Sequence, residues 1–164
     1  MTIPRVSSAL KAVDLKQLPT PLIIGERINT QGSRKAKKLV LADDYDGLID
    51  LARVQVEDGA HCLDVCVATT ERSDELEFML NLVKRLSLEI DAPLVIDSTD
   101  PEVIEASIKQ IPGRPIINSI NLEGDGSRFK KVSTNNGKVW IAFYCIMHWT
   151  KWYGKNSATK SRDR

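Results

Sequence analysis

The run Pro93-Leu94-Val95-Ile96-Asp97-Ser98-Thr99-Asp100 is followed, further along the chain, by Pro115-Ile116-Ile117-Asn118-Ser119-Ile120. Each is a short apolar stretch, rich in β-branched residues, that stops at a polar pair. Such stretches read as buried strands. Between them, Glu102-Val103-Ile104-Glu105-Ala106-Ser107-Ile108-Lys109 has helical spacing. Strand, helix and strand in that order make a βαβ unit, whose two strands run parallel. Asp97 and Asn118 then stand side by side at the C-terminal ends of neighbouring strands, the edge where parallel α/β folds hold their ligands. A carboxylate beside an amide can read the polar edge of a flat heterocycle: Asp97 accepts two N–H bonds while Asn118 donates and accepts. Spacing alone leaves a second reading open, with Asp97 capping the helix that starts near Pro101 and Asn118 holding a loop.

Working outward, the chain repeats this pattern. Leu22-Ile23-Ile24-Gly25 reads as a first strand with Glu26-Arg27-Ile28-Asn29 as its polar end, and residues 30–38 read as a solvated loop. A helix is expected from Asp44 to Asp58, with Leu48, Ile49, Leu51, Ala52, Val54 and Val56 on its apolar face and Gly59 stopping it. Cys62-Leu63-Asp64-Val65-Cys66-Val67 is the second strand. Thr70 to Ser73 supply N-cap candidates for a long helix reaching Glu89, whose acidic start and basic end suit the helix dipole. The regular part is β-α-β-α-β-α-β, either a doubly wound sheet or a barrel. No Gly-x-Gly-x-x-Gly follows the first strand, which argues against a dinucleotide site. Four βα units amount to half of an eight-stranded barrel.

Glu26 and Arg27 form either an ion pair at a strand end or a ligand contact, and Asn29 and Asp64 carry the same ambiguity. Cys62 and Cys66 face one side of their strand but lie too far apart for a disulfide, so they read as buried core thiols. His61 and His148 belong to no visible metal-ligand set, and no catalytic residue is assigned.

The 164 residues suffice for one domain with a real core. With 23 basic and 22 acidic residues, net charge gives no support to nucleic-acid or membrane binding. No apolar run approaches a bilayer span, no secretory signal is visible at the start, and three cysteines suit a reduced, cytoplasmic setting. Residues 1–20 read as a leader without an assigned structure, 21–132 as the regular domain, and 133–164 as a tail of different character. All three Trp lie in that tail, with many basic residues. Such a composition is also what stacking on single-stranded nucleic acid would use.

Ile23-Ile24-Gly25-Glu26-Arg27-Ile28-Asn29, Leu63-Asp64-Val65, Val95-Ile96-Asp97-Ser98-Thr99 and Ile116-Ile117-Asn118-Ser119 together resemble the pterin-binding family. The likeness is to its methyltetrahydrofolate:corrinoid methyltransferase branch, over Pro21 to Lys131. It implies an α/β fold, the N-terminal half of a (β/α)8 TIM barrel, with pterin held at the C-terminal mouth. By motif, Asp97 and Asn118 would bond the pterin, Glu26 and Asn29 would share the rim, and Asp64 would support them. The implied substrate is methyltetrahydrofolate, and the implied acceptor is cobalamin (a corrinoid) on a partner protein or domain. Hydrogen bonding near N5 would assist methyl departure. The family often has Asn where Cys66 stands, and its later strands supply a further pterin-binding Asp and the Asn near N5, which nothing here matches.

Codons for Tyr144 to Arg164, read one base out of step, permit I-A-L-C-I-G-x-x-G-M-A-K-T, which is similar to the family's fifth strand and following turn. The tail is therefore expected to be out of frame. A half-barrel would expose sheet edges and self-associate. The competing expectation is a non-catalytic binding or assembly module completed by another chain.

Overall fold

The computed structural model describes residues 4–118, together with the backbone of Ala142–Phe143. The sequence pattern left two windings open, and the strand order decides between them. Strands β3 (Ile24–Asn29), β4 (Cys62–Cys66), β5 (Leu94–Asp97), β6 (Ile116–Asn118) and β7 (Ala142–Phe143) lie side by side in chain order. Every neighbouring pair is parallel. A doubly wound sheet would reverse its order at a switch point. An order that never reverses is that of a barrel wall, each strand returning through a helix on the outside.

Two helices, α1 (Arg34–Leu41) and α2 (Tyr45–Glu57), join β3 to β4, while α3 (Glu75–Glu89) and α4 (Pro101–Ile108) make the next two crossovers. Their apolar stripes meet one face of the sheet. Leu48, Ile49 and Ala52 of α2, Phe78, Met79, Leu82 and Leu86 of α3, and Ile104 and Ile108 of α4 pack there on Ile28, Leu63, Val65, Leu94, Ile96 and Ile117. Caps set the helix starts: Asp44 accepts from Gly47 N at 2.9 Å, and Asp100 accepts from Glu102 N at 2.8 Å with Pro101 at the first helical position. Gly59, at φ 98°, follows α2 as expected. Helix α3 starts later than its Thr70–Ser73 cap candidates suggest. Arg72 in that loop instead bridges Asp43 and Asp74 and lies over the Phe78 ring, 4.7 Å from its centre.

One expectation needs correction, and one segment left without an assignment gains a structure. Residues 30–38 are no simple loop: Ser33 caps α1 by accepting from Ala36 N at 3.1 Å, and Ala36 and Val40 bury one side of it. The run of Arg and Lys that suggested solvated loop consists of good helix formers, and one turn of amphipathic spacing suffices once the sheet is present. The leader is also structured. β1 (Arg5–Ser7) and β2 (Ala12–Asp14) form an antiparallel hairpin with Val6 opposite Val13. Strands of three residues are too short to display a period in sequence. Ser7 exchanges backbone bonds with Arg114 at 3.0 and 2.9 Å, which fixes the hairpin beside the turn into β6.

The hairpin places Val6 and Val13 against Cys62, Val95 and Ile116, on the sheet face turned away from the helices. The out-of-frame reading of 133–164 lies outside the described residues, apart from Ala142–Phe143, which pair with Ile116 and Ile117.

Replacing Val6 by Asp puts an unpaired charge in this second core. Val6→Asp should destabilise the chain by about 3 kcal/mol or more in urea unfolding. It should also quicken labelling of the Cys62 thiol, mapped by peptide mass. Unchanged Cys62 labelling in a folded variant would refute the packing described.

Candidate functional site

Alternation along each strand sorts the sheet's side chains into two sets. Leu63, Val65, Leu94, Ile96 and Ile117 go to the helices, while Cys62, Asp64, Val95, Ile116 and Asn118 take the opposite face. That inner face has two levels. Asp64, Val95 and Ile116 share the first, with Cys62 two residues before Asp64 against the hairpin, and Asp97 and Asn118 form the second, towards the strand C-termini. A pocket of about 220 Å³ spans the levels, lined by Ile24, Glu26, Asp64, Val95, Ile116 and Asn118.

Strand β3 contributes two polar residues through an irregularity. Ile24 and Gly25 pair with Cys62 and Leu63, whereas Ile28 and Asn29 pair with Val65 and Cys66. Glu26 and Arg27 therefore share the single position opposite Asp64, which is a β-bulge. Glu26 reaches the pocket and Asn29, three residues on, also turns inward. Asn29 Nδ2 donates to Asp64 Oδ2 at 2.7 Å and to Asp97 Oδ2 at 2.9 Å, and Asn29 Oδ1 accepts from Gln31 N at 2.8 Å. One buried amide thus joins two carboxylates and the loop above.

The five residues singled out from sequence converge. Glu26, Asp64 and Asn118 line the pocket, Asn29 links Asp64 to Asp97, and Asp97 stands in register with Asn118. Asp97 does not cap α4; Asp100 does. The next residue, Ser98, is buried, donates from Oγ to Glu75 Oε1 at 2.9 Å and donates its N–H to Asn118 O at 3.1 Å. Cys62 and Cys66 are buried free thiols as expected, and Cys66 Sγ lies 3.9 Å from Thr30 Oγ1. Ser98, Thr30 and the buried Gln55 carry site geometry that sequence reasoning passed over. Only Gln55 left a signal, being a polar residue on the core stripe of α2.

Asp64 is 5% exposed, and its Oδ1 has no hydrogen-bond partner among the described residues. Burial pushes its carboxyl up to about 6; the Asn29 hydrogen bond opposes this, and the charges of Asp97 and Glu26 add to it. The neighbouring Asn118 amide also favours the charged form, without a bond of full geometry to Oδ1. Burial likewise raises Asp97, against its bond from Asn29 and with the charges of Glu26 and Glu75. Both thiols are pushed up to about 11 by burial, so they stay protonated at neutral pH. Among the described residues no group of three or more His, Cys, Asp or Glu could hold a metal ion, and no helix is long and apolar enough to cross a membrane.

Inward-facing carboxylates and amides beside apolar Val95 and Ile116, at the C-terminal edge of a barrel wall, offer hydrogen-bond acceptors around the pocket. The chain belongs to the pterin binding enzyme family, whose model matches residues 25–163. It is 41% identical over 131 residues to the methionine synthase of Mycobacterium tuberculosis (strain ATCC 25618 / H37Rv), an alignment covering 78% of this chain and 11% of that protein. It is 40% identical, with the same coverage, to the methionine synthase of Mycobacterium leprae (strain TN). The chain thus spans about a ninth of the length of these relatives. Solved structures agree on the fold. Xanthomonas albilineans dihydropteroate synthase in complex with 7,8-dihydropteroate superposes with TM-score 0.57 at 21% identity, over 84% of this chain and 48% of that one. Yersinia pestis dihydropteroate synthase with a pterine-sulfa conjugate gives 0.55 at 19%, over 80% and 46%. The described sheet is accordingly part of a pterin-binding barrel.

Because the folded carboxyl of Asp64 is raised from 3.8 to about 6, the native state holds this proton to higher pH than the unfolded chain. Its contribution to stability is complete below 3.8 and is lost as pH rises through about 6. Asp64→Asn removes that loss. The variant should gain on the order of 1 kcal/mol over wild type at pH 8, the advantage shrinking towards pH 4, as read by urea unfolding across pH. An advantage independent of pH would contradict the burial of this charge.

Proposed function

We propose that the chain binds the pterin ring of a reduced folate in the pocket between Glu26, Asp64 and Asn118. In this reading it is part of a methyltransferase module that moves the N5-methyl group of methyltetrahydrofolate to a corrinoid protein. The observation that carries the binding step is Asp64 Oδ1, a buried acceptor on the pocket wall with no partner among the described residues. An unpaired buried acceptor costs about 1–3 kcal/mol, which a ligand N–H would recover. The pterin's amino-pyrimidinone edge offers such donors, and Asp97 and Asn118, in register on adjacent strands, extend the polar surface one inward row further.

The methyl-transfer step has separate support, from the relatives named methionine synthase and from the likeness of the motifs Ile23–Asn29, Leu63–Val65, Val95–Thr99 and Ile116–Ser119. The residues named here bind and orient the ring. The methyl group leaves more readily once N5 gains positive character, and none of the five is assigned to that proton. Cobalamin would supply the methyl-accepting centre from the partner's side. Binding without transfer is thus what we expect of this chain alone.

Titration with a reduced pterin and with methyltetrahydrofolate, followed by fluorescence, tests the reading. Asp97→Ala should weaken binding about 10- to 100-fold and Asn118→Ala about tenfold, while the exposed Leu88→Ala should match wild type. A folded wild-type chain that binds no pterin, or variants that bind equally well, would defeat it.

A further inference from the structure

Helix α2 buries Gln55 to 5% exposure on the stripe it shares with Leu48, Ile49, Leu51 and Ala52. A primary amide on a core stripe is costly unless both its ends are bonded. Here Gln55 Nε2 donates to Leu51 O at 3.2 Å, within its own helix, and Oε1 accepts from the backbone N–H of Arg27 at 2.6 Å. Arg27 is one of the two residues that the bulge sets opposite Asp64. A bulge leaves its extra residue without a ladder partner, and a buried backbone N–H must find another acceptor. Gln55 is that acceptor. Gly25 makes the approach possible: a Cβ at this position would stand 2.7 Å from Gln55 Oε1.

The bulge decides where two site residues point. Glu26 and Asn29 are three apart, and in an unbroken strand they would face opposite sides of the sheet. The extra residue restores a common side, so that Glu26 lines the pocket while Asn29 donates to Asp64 and Asp97. We infer that Gln55 is a positioning residue: from outside the sheet it locks the β3 bulge and thereby holds Glu26 and Asn29 on the ligand face. It touches no ligand itself and acts through the Arg27 backbone. The inference rests on the pterin reading for its binding consequence, though not for its structural one.

The experiment uses the full chain with Gln55→Leu, which keeps bulk and removes the acceptor, and Gln55→Glu. The carboxyl that Q55E introduces can, while protonated, both accept from Arg27 and donate to Leu51. Three quantities are read: hydrogen exchange of the Arg27 amide, titration of the Asp64 carboxyl by NMR, and pterin affinity. In Q55L we expect faster Arg27 exchange, an Asp64 midpoint above that of wild type as the Asn29 bond loosens, and affinity down about tenfold or more. Q55E should return Arg27 exchange and pterin affinity towards wild type at a pH where its carboxyl keeps its proton. A folded Q55L with wild-type exchange and Asp64 titration overturns the inference, as does a folded Q55E that behaves like Q55L under those conditions. If Q55L does not fold, Gly25→Ala attacks the same contact from the strand side and should reproduce its changes; wild-type values there overturn the inference equally. Should wild type bind no pterin, the functional reading fails while the exchange and titration data still decide the role of Gln55.

Discussion

Side chains on a strand alternate between faces, and the pocket exists because four adjacent strands agree about which set points inward. In β4, β5 and β6 the agreement follows from register: Asp64 pairs with Val95, Val95 with Ile116, and Asp97 with Asn118. Asp64 therefore shares its row with the apolar Val95 and Ile116, and the Asp97–Asn118 pair makes the next inward row towards the strand C-termini. A slip of one residue in any of these ladders would send a carboxylate into the helix-facing core and an Ile into the pocket. The apolar helix faces therefore hold more than stability. By burying Leu63, Leu94, Ile96 and Ile117, they fix which side of the sheet the carboxylates occupy.

The cluster of carboxylates costs the folded chain free energy. Asp64 and Asp97 share a single amide, Asn29, and the charge of Glu26 adds to the raising of both carboxyls. One Asn can neutralise no charge; it offers two N–H bonds, and both are in use. The cost is accepted in the folded state because the surrounding packing, on both faces of the sheet, over-determines the strands. A ligand that presents several N–H groups would relieve that cost, whereas an anion would deepen it. This asymmetry is what the proposed pterin reading draws on.

Much of this was legible in the sequence. Short β-branched runs ending in Asp97 and Asn118, with a helical segment between them, gave the parallel unit and placed both residues at one edge, and the caps at Asp44 and Asp100 lie where the chain's own signals put helix starts. What stayed hidden has physical causes. The hairpin of Arg5–Ser7 and Ala12–Asp14 is too short for a period, and it exists because Val6 and Val13 have a floor to cover. Helix α1 was masked by its basic residues. In α2 the apolar list included Val54, which is 49% exposed, and passed over Gln55, which is 5% exposed, because it followed residue type where the 3.6-residue stripe governs.

That last case bears on how such a site is built. A site residue is usually sought among side chains that face the ligand, yet the bulge that aims Glu26 and Asn29 is secured from the opposite side of the sheet. Parallel β/α units make this natural, because each strand has a helix against its outer face and a ligand region on its inner face. A single buried amide can then pass geometry through the strand backbone without entering the pocket. Gly25 shows the requirement from the other side: the strand must lack a Cβ where the amide arrives. Apolar residues at both positions would pack well and make a sound barrel wall. They would leave the Arg27 N–H without its acceptor, and the strand would regain regularity by turning either Glu26 or Asn29 away from the pocket.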